Sequence, residues 1–226
     1  MKKFSVFLVL VCAICFSAGS TFAIPLGGGS SSQNVIVNGG LETGDLTGWT
    51  SNTAQGGSIY VAGSCSQYGQ TIMPFEGDYM AVIFGGGYDS YDDNHLSQSL
   101  NLVNAVQMSG RFNAKGPDYP PYDQEAGKGK LLYDNEEIDL FTWSDPGQGT
   151  QVTGWTEFSY VFPEMYSGVA ELIFEMGNTY DAVHSPILYI DDVGVNTAPV
   201  PEPCTMLLLG TGLVGLAGVR KRKKRE

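Results

Sequence analysis

Leu96-Ser97-Gln98-Ser99-Leu100-Asn101-Leu102 is the stretch that decides the fold of this chain. Leu96, Gln98, Leu100 and Leu102 share one parity, and Ser97, Ser99 and Asn101 share the other. A period of two sets one side of an extended strand against a core and turns the other toward water. Outward from this segment, short runs of β-branched, aromatic and leucine residues recur at 35–37, 58–61, 79–84, 106–112, 130–133, 138–143, 156–162, 170–174 and 187–195. Gly, Pro, Asn and Asp clusters separate them, and no stretch carries the periodicity of an amphipathic helix. Many short strands need two facing sheets to bury one side each. The expectation is therefore an all-β chain folded as a single antiparallel β-sandwich.

Both ends of the chain depart from this pattern. Lys2-Lys3, an apolar stretch over 4–16 and small residues ending at Ala23 have the layout of a secretory signal peptide, a helix removed by signal peptidase. Residues 1–23 are assigned to it, and the Gly/Ser-rich residues 24–33 to a flexible linker. Cys12 and Cys15 leave with the peptide, so Cys65 is the only cysteine of the folded middle and has no partner there. At the other end, Pro201 and Pro203 prevent a helix from running upstream through Val200-Pro201-Glu202-Pro203. The uncharged run 204–219 follows, then the basic cap 220–226. The run lies near the short limit of about 17–25 residues for a membrane-spanning helix. Its glycines suit a temporary anchor, and the Lys/Arg cap stays on the cytoplasmic side. Gly210-Thr211-Gly212-Leu213-Val214-Gly215 matches a dinucleotide fingerprint, but the chain ends before the βαβ unit that fingerprint requires.

Charge divides the molecule further. Of 12 basic residues, two lie in the signal and six in the cap, leaving Arg111, Lys115, Lys128 and Lys130. Twenty-two of the 24 acidic residues lie between Ile24 and Val200, so that middle carries a formal charge of −18. Such a surface excludes nucleic acid as a partner, because that binding rests on neutralising phosphates. Calcium and neutral glycans suit it, and so does simple solubility outside a cell.

Val200-Pro201-Glu202-Pro203 with its apolar run and Arg/Lys cap resembles the PEP-CTERM sorting signal, assigned here to residues 198–226. The resemblance implies processing by an exosortase-type membrane protease at Pro201, Glu202 and Pro203. It also implies export across the inner membrane of a Gram-negative bacterium, transient anchoring there, and a final place at the cell surface or in the extracellular polysaccharide matrix. The segment Asn38-Gly39-Gly40-Leu41-Glu42-Thr43-Gly44-Asp45-Leu46-Thr47-Gly48-Trp49 resembles the opening of galactose-binding-like jelly rolls, including carbohydrate-binding modules. Leu188-Tyr189-Ile190-Asp191-Asp192-Val193-Gly194-Val195 resembles their closing strand. This likeness implies one jelly-roll domain over 34–197.

In the resembled fold the first and last strands lie close together, and a structural calcium often sits there. That implies Glu42, Asp191 and Asp192 as calcium ligands, with main-chain carbonyls completing the 6–8 oxygens the ion takes. The alternative is that Glu42 caps a turn and one aspartate faces water. The acidic loop 89–94 lacks the glycine and distal glutamate of an EF-hand and reads as a solvated loop. Trp143, Tyr119 and Tyr122 are the aromatics expected to be exposed for stacking on a sugar, whereas Trp49 and Trp155 are expected in the core. His95 and His184 lie in different segments, and neither H-E-x-x-H nor G-x-S-x-G occurs. The expected role is therefore non-enzymatic: a structural or adhesive matrix protein first, a glycan-binding module second, a polysaccharide hydrolase third.

Overall fold

The leucine-rich segment that opens the argument is the first half of one very long strand. The computed structural model describes residues 35–53, 56–85, 94–116, 126–144, 151–177 and 185–198. Its strands are β1 (Thr50–Asn52), β2 (Ser58–Ala62), β3 (Cys65–Gln67), β4 (Gln70–Ile72), β5 (Met80–Phe84), β6 (His95–Gly116), β7 (Ala126–Tyr133), β8 (Glu136–Ser144), β9 (Gln151–Val152), β10 (Thr156–Gly177) and β11 (Ile187–Thr197). Among the described residues there is no helix. The signal peptide, the linker and the sorting tail lie outside the described residues.

Hydrogen bonding runs β2-β5-β11-β6-β10-β7-β8, with β1 and β9 also on β6, and every pairing is antiparallel. The two 22-residue strands β6 and β10 pair from Thr156↔Phe112 to Glu175↔His95. β11 lies along only the second half of β6, and β7 along only the second half of β10. One ribbon thus folds into two layers. The first is β2, β5, β11, the end of β6 and the start of β10; the second is β1, the start of β6, the end of β10, β7 and β8.

The fold line falls where the register slips between Val161, Tyr166 and Gly168, opposite Asn104 in the left-handed region at φ 49°. Extra residues on one strand bend it and increase its twist, which lets the same strand serve both layers. The sequence shows two strand runs on either side of this line, 96–102 with 106–112 and 156–162 with 170–174. The backbone joins each pair into one.

Between the layers lies the main core. Leu96, Leu100, Leu102, Leu131, Leu172 and Phe174 come from the second layer, and Ala81, Ile83, Phe112, Leu188 and Ile190 from the first. Phe141 of β8 stacks on Phe112 at 4.1 Å and meets Phe158 at 5.3 Å, so aromatic rings join strands that share no ladder. A smaller core covers the outer side of the first layer, where the β3–β4 hairpin sits over Met80, Val82, Ile187 and Tyr189. Cys65 is buried there as a free thiol. Lys115 is fully buried beside it, donates to the Gln67 carbonyl, and has its pKa lowered chiefly by burial.

Residues 35–37 differ from expectation: they form a turn, not a strand. The Gln98 side chain replaces the ladder. Its amide donates from Nε2 to the Val37 carbonyl at 2.9 Å, and its Oε1 accepts from the Val37 N–H at 2.8 Å. A buried amide with both partners satisfied mimics a strand neighbour. It also explains why Gln98 stands on the apolar side of its strand, at 4% exposure.

Candidate functional site

The opening motif is organised around Asn38, whose φ of 53° is tolerated by asparagine in tight turns. Its amide donates to Thr43 Oγ1, the Asp45 carbonyl and the Thr47 carbonyl, and its Oδ1 accepts from the Thr43 N–H. Gly39 then passes so close to β11 that a Cβ would stand 2.0 Å from the Val193 carbonyl oxygen. The Val193 N–H donates to the Gly39 carbonyl at 3.1 Å. This docking brings Glu42 to the bulge of β11, where the register slips between Asp191 and Gly194 and Asp192 takes φ 51°.

The result is a cleft of about 370 Å³ lined by Gly40, Glu42, Glu76, Gly77, Asp191 and Asp192. Asp191 is buried; its Oδ2 accepts from the N–H groups of Phe75 (2.8 Å) and Glu76 (3.2 Å), and its Oδ1 from Asp192 N–H (2.7 Å). Burial outweighs these three bonds and pushes its pKa up to about 6. Glu42 is exposed and accepts from the N–H groups of Asp78 and Tyr79 at 3.0–3.2 Å. Gly77 has φ 66°, and a Cβ there would stand 2.3 Å from Glu42 Oε1. Arg111, in register with Asp191, instead pairs with Glu157 at 2.9 Å and lies over the Phe75 ring at 4.5 Å. No cation lines the cleft.

The donor chemistry fits a hard cation: four carboxylates, all-oxygen donors, and a buried aspartate whose register neighbour Arg111 is engaged by Glu157. Among the described residues no three His, Cys, Asp or Glu side chains converge tightly enough to hold a metal by themselves. An ion here would draw its remaining oxygens from main-chain carbonyls and water. The turn-capping alternative is visible directly, since Glu42 caps the 76–79 turn and Asp192 faces solvent.

A larger groove, about 790 Å³, crosses the outer side of the second layer. Register places Ser99, Glu171, Leu132 and Glu137 side by side on four adjacent strands. Asp134 and Asn135, both at positive φ, form the tight hairpin turn that closes one end, and Val169 adds an apolar side chain beside Leu132. Lys128 pairs with Glu137 and with Asp139 (2.9 Å), while Lys130 pairs with Glu175 (2.8 Å) and more distantly with Glu137 (3.7 Å). The hydrogen bond from Lys128 holds the Glu137 carboxyl below its ordinary value and raises the lysine in turn.

Sequence reading did not single out this groove. Its signal was the Asp134-Asn135 turn between Lys128/Lys130 and Glu137/Asp139, opposite charges alternating at a period of two on facing strands. Trp143, expected at the surface, is half-buried and packs on the main core, opposite Gly127 of β7. Trp49 is buried, and Trp155 packs on the smaller core with its indole N–H on the Met73 carbonyl at 2.9 Å. Tyr119, Tyr122, Pro201, Glu202, Pro203 and most of the acidic loop 89–94 lie outside the described residues.

The fold is an all-β antiparallel sandwich whose structural neighbours are jelly-roll carbohydrate-binding modules. The chain is similar in structure to TmCBM61, solved in complex with β-1,4-galactotriose: TM-score 0.51 at 15% identity, covering 74% of this chain and 100% of that one. It also aligns with the CBM22-1 xylan-binding domain of Paenibacillus barcinonensis Xyn10C (TM-score 0.39, 15% identity, 76% of this chain and 99% of that one). The C-terminal family 22 module of Clostridium thermocellum Xyn10B gives a TM-score of 0.41 at 13% identity, over 74% of this chain and 98% of that one. At such identity the likeness establishes the fold alone. No curated protein matches the chain in sequence. Residues 199–223 carry the PEP-CTERM protein-sorting motif. That motif implies export, transient anchoring of the C-terminus in the membrane, and processing by an exosortase.

Proposed function

We propose that this is an exported, non-catalytic adhesive module that holds neutral extracellular polysaccharide in the groove of its second layer. The observation that carries the reading is the groove itself. Ser99, Asp134, Asn135, Glu137 and Glu171 offer hydrogen-bond acceptors to sugar hydroxyls beside the apolar side chains of Leu132 and Val169. The nearby lysines are engaged by carboxylates, so an acidic polysaccharide meets uncompensated negative charge at Asp134 and Glu171. Lys128 holds Glu137 ionised, which leaves it an acceptor for sugar hydroxyls and takes it out of the general-acid role. In the loop cleft, Glu42, Asp191 and Asp192 with main-chain oxygens would hold a calcium ion, whose charge compensates the buried carboxylate and fastens the opening loop to β11.

Affinity electrophoresis of the purified chain against neutral and uronic-acid polysaccharides tests the groove. Retardation by a neutral polymer, lost in the Asp134→Ala/Glu171→Ala double variant, is the expected result. Unchanged retardation in that variant, or preference for the uronate, refutes it. Release of reducing ends from the bound polymer would replace binding with hydrolysis.

A further inference from the structure

The fold line carries an apolar surface that shares only Val169 with the groove. Of the nine exposed large apolar side chains among the described residues, four are gathered there: Val103 (53% exposed), Val161 (69%), Met165 (61%) and Val169 (75%). Register places them within a few residues of the slip, because Val161 pairs with Gln107, Tyr166 with Ala105 and Val169 with Asn101. Beneath them Tyr166 stacks on Tyr133 at 4.2 Å and on Phe162 at 4.5 Å, a stiff aromatic base. Single exposed apolar residues are ordinary; a group of them on one rigid corner marks an interaction surface.

The end of the described chain indicates what covers this corner. The Ala198 N–H donates to the Asn104 carbonyl at 2.8 Å, and Thr197 pairs with Ala105, so the chain leaves the sandwich beside Val103. Only residues 199–203 separate that point from the apolar run at 204–219. Ala198 and Cys204 are six steps apart, at most about 22 Å when fully extended. With the tail in a membrane, the fold line is therefore held within about 22 Å of the edge of the apolar run. Glu164 is the only charged residue in 161–169, and 101–107 contains none.

We propose that this corner docks on a zwitterionic lipid surface while the tail is anchored, with Val103, Val161, Met165 and Val169 entering the interface. The inference rests on the transient C-terminal anchoring that the sorting motif implies. Apolar side chains set about 5–10 Å into the headgroup boundary gain burial without needing basic residues. The strongly acidic remainder of the domain disfavours anionic lipid.

The test uses the full chain with Cys12, Cys15 and Cys204 changed to Ser; Cys65 is buried and stays unlabelled. An environment-sensitive fluorophore is placed at Met165→Cys or, as reference, at Met73→Cys. Met73 is exposed and bonded to Trp155, which adjoins the Thr156↔Phe112 pair, about 23 Å along β6 from Ala105 at about 3.3 Å per residue. The chains are floated with phosphatidylcholine vesicles that contain brominated acyl chains. Loss of fluorescence with a blue shift at 165, and neither at 73, is the expected result. A chain that floats with an unquenched label at 165 overturns the docking and leaves the anchoring intact. A blue shift without bromine quenching assigns the corner to a second copy or to the tail and also overturns it. A chain that does not float overturns both.

Discussion

Gly77→Ala in the loop cleft separates two energies that a single substitution mixes. The added methyl meets two obstacles: a backbone at φ 66° and the Glu42 carboxylate 2.3 Å away. Holding an L-residue in the left-handed region costs about 1–2 kcal/mol. The carboxylate is the end of a flexible side chain, so it swings aside and releases the N–H groups of Asp78 and Tyr79. Charge-assisted bonds at a solvent-exposed site are worth about 1 kcal/mol together, since water replaces them readily. Gly77→Ala is therefore expected to lower stability by about 2–3 kcal/mol and Glu42→Ala by about 1 kcal/mol. The double variant should lose no more than Gly77→Ala alone, because Glu42→Ala has already removed both the clash and the bonds. That is a coupling energy of about 1 kcal/mol. Urea unfolding of the four proteins, in chelator so that no ion intervenes, measures it. Strictly additive losses would show that Glu42 does not contact the 76–79 turn and would refute this construction of the cleft.

Three further outcomes follow from the same geometry. Phe174→Ala removes a fully buried ring in contact with Trp49, Phe141 and Phe158, and should lower the unfolding free energy by about 3–5 kcal/mol in denaturant titration; a loss under about 1 kcal/mol contradicts the two-layer core. Calcium should raise the melting temperature of the wild-type chain and leave Asp191→Ala unmoved, with calorimetry in calcium against chelator as the measurement; an identical response in both proteins removes the ion from the cleft. The Glu137 carboxyl, held low by Lys128, contributes stability that is present above its unfolded pKa and is lost as pH falls through its lower folded value. Carbon-detected NMR titration should place its midpoint below that of the ordinary glutamates, and Lys128→Met should return it to them.

How much was legible beforehand varied with how local the determinant was. The all-β class followed from alternation and turn residues, which are properties of a few consecutive positions. The joining of 96–102 to 106–112 was not legible, because a bulge on the partner strand allows β6 to bend without breaking. Residues 35–37 have a strand-like composition, yet the Gln98 amide takes the place of a neighbouring strand, a contact across 61 positions. Trp143 is drawn onto the main core by its place on β8 beside Gly127 of β7, a pairing no local pattern gives. Glu42, Asp191 and Asp192 line one cleft. The groove was missed because its lining is assembled from four strands, each contributing one or two ordinary polar residues.

The linear order of residues by itself settled the sorting motif, the acidic middle and the β class, because each depends on neighbours along the chain or on simple counts. Which polar residues share a cleft, which aromatics are hidden and where the apolar corner stands were decided only by the folded ribbon. Strand register and one bend bring together side chains tens of positions apart, and no local pattern encodes that pairing.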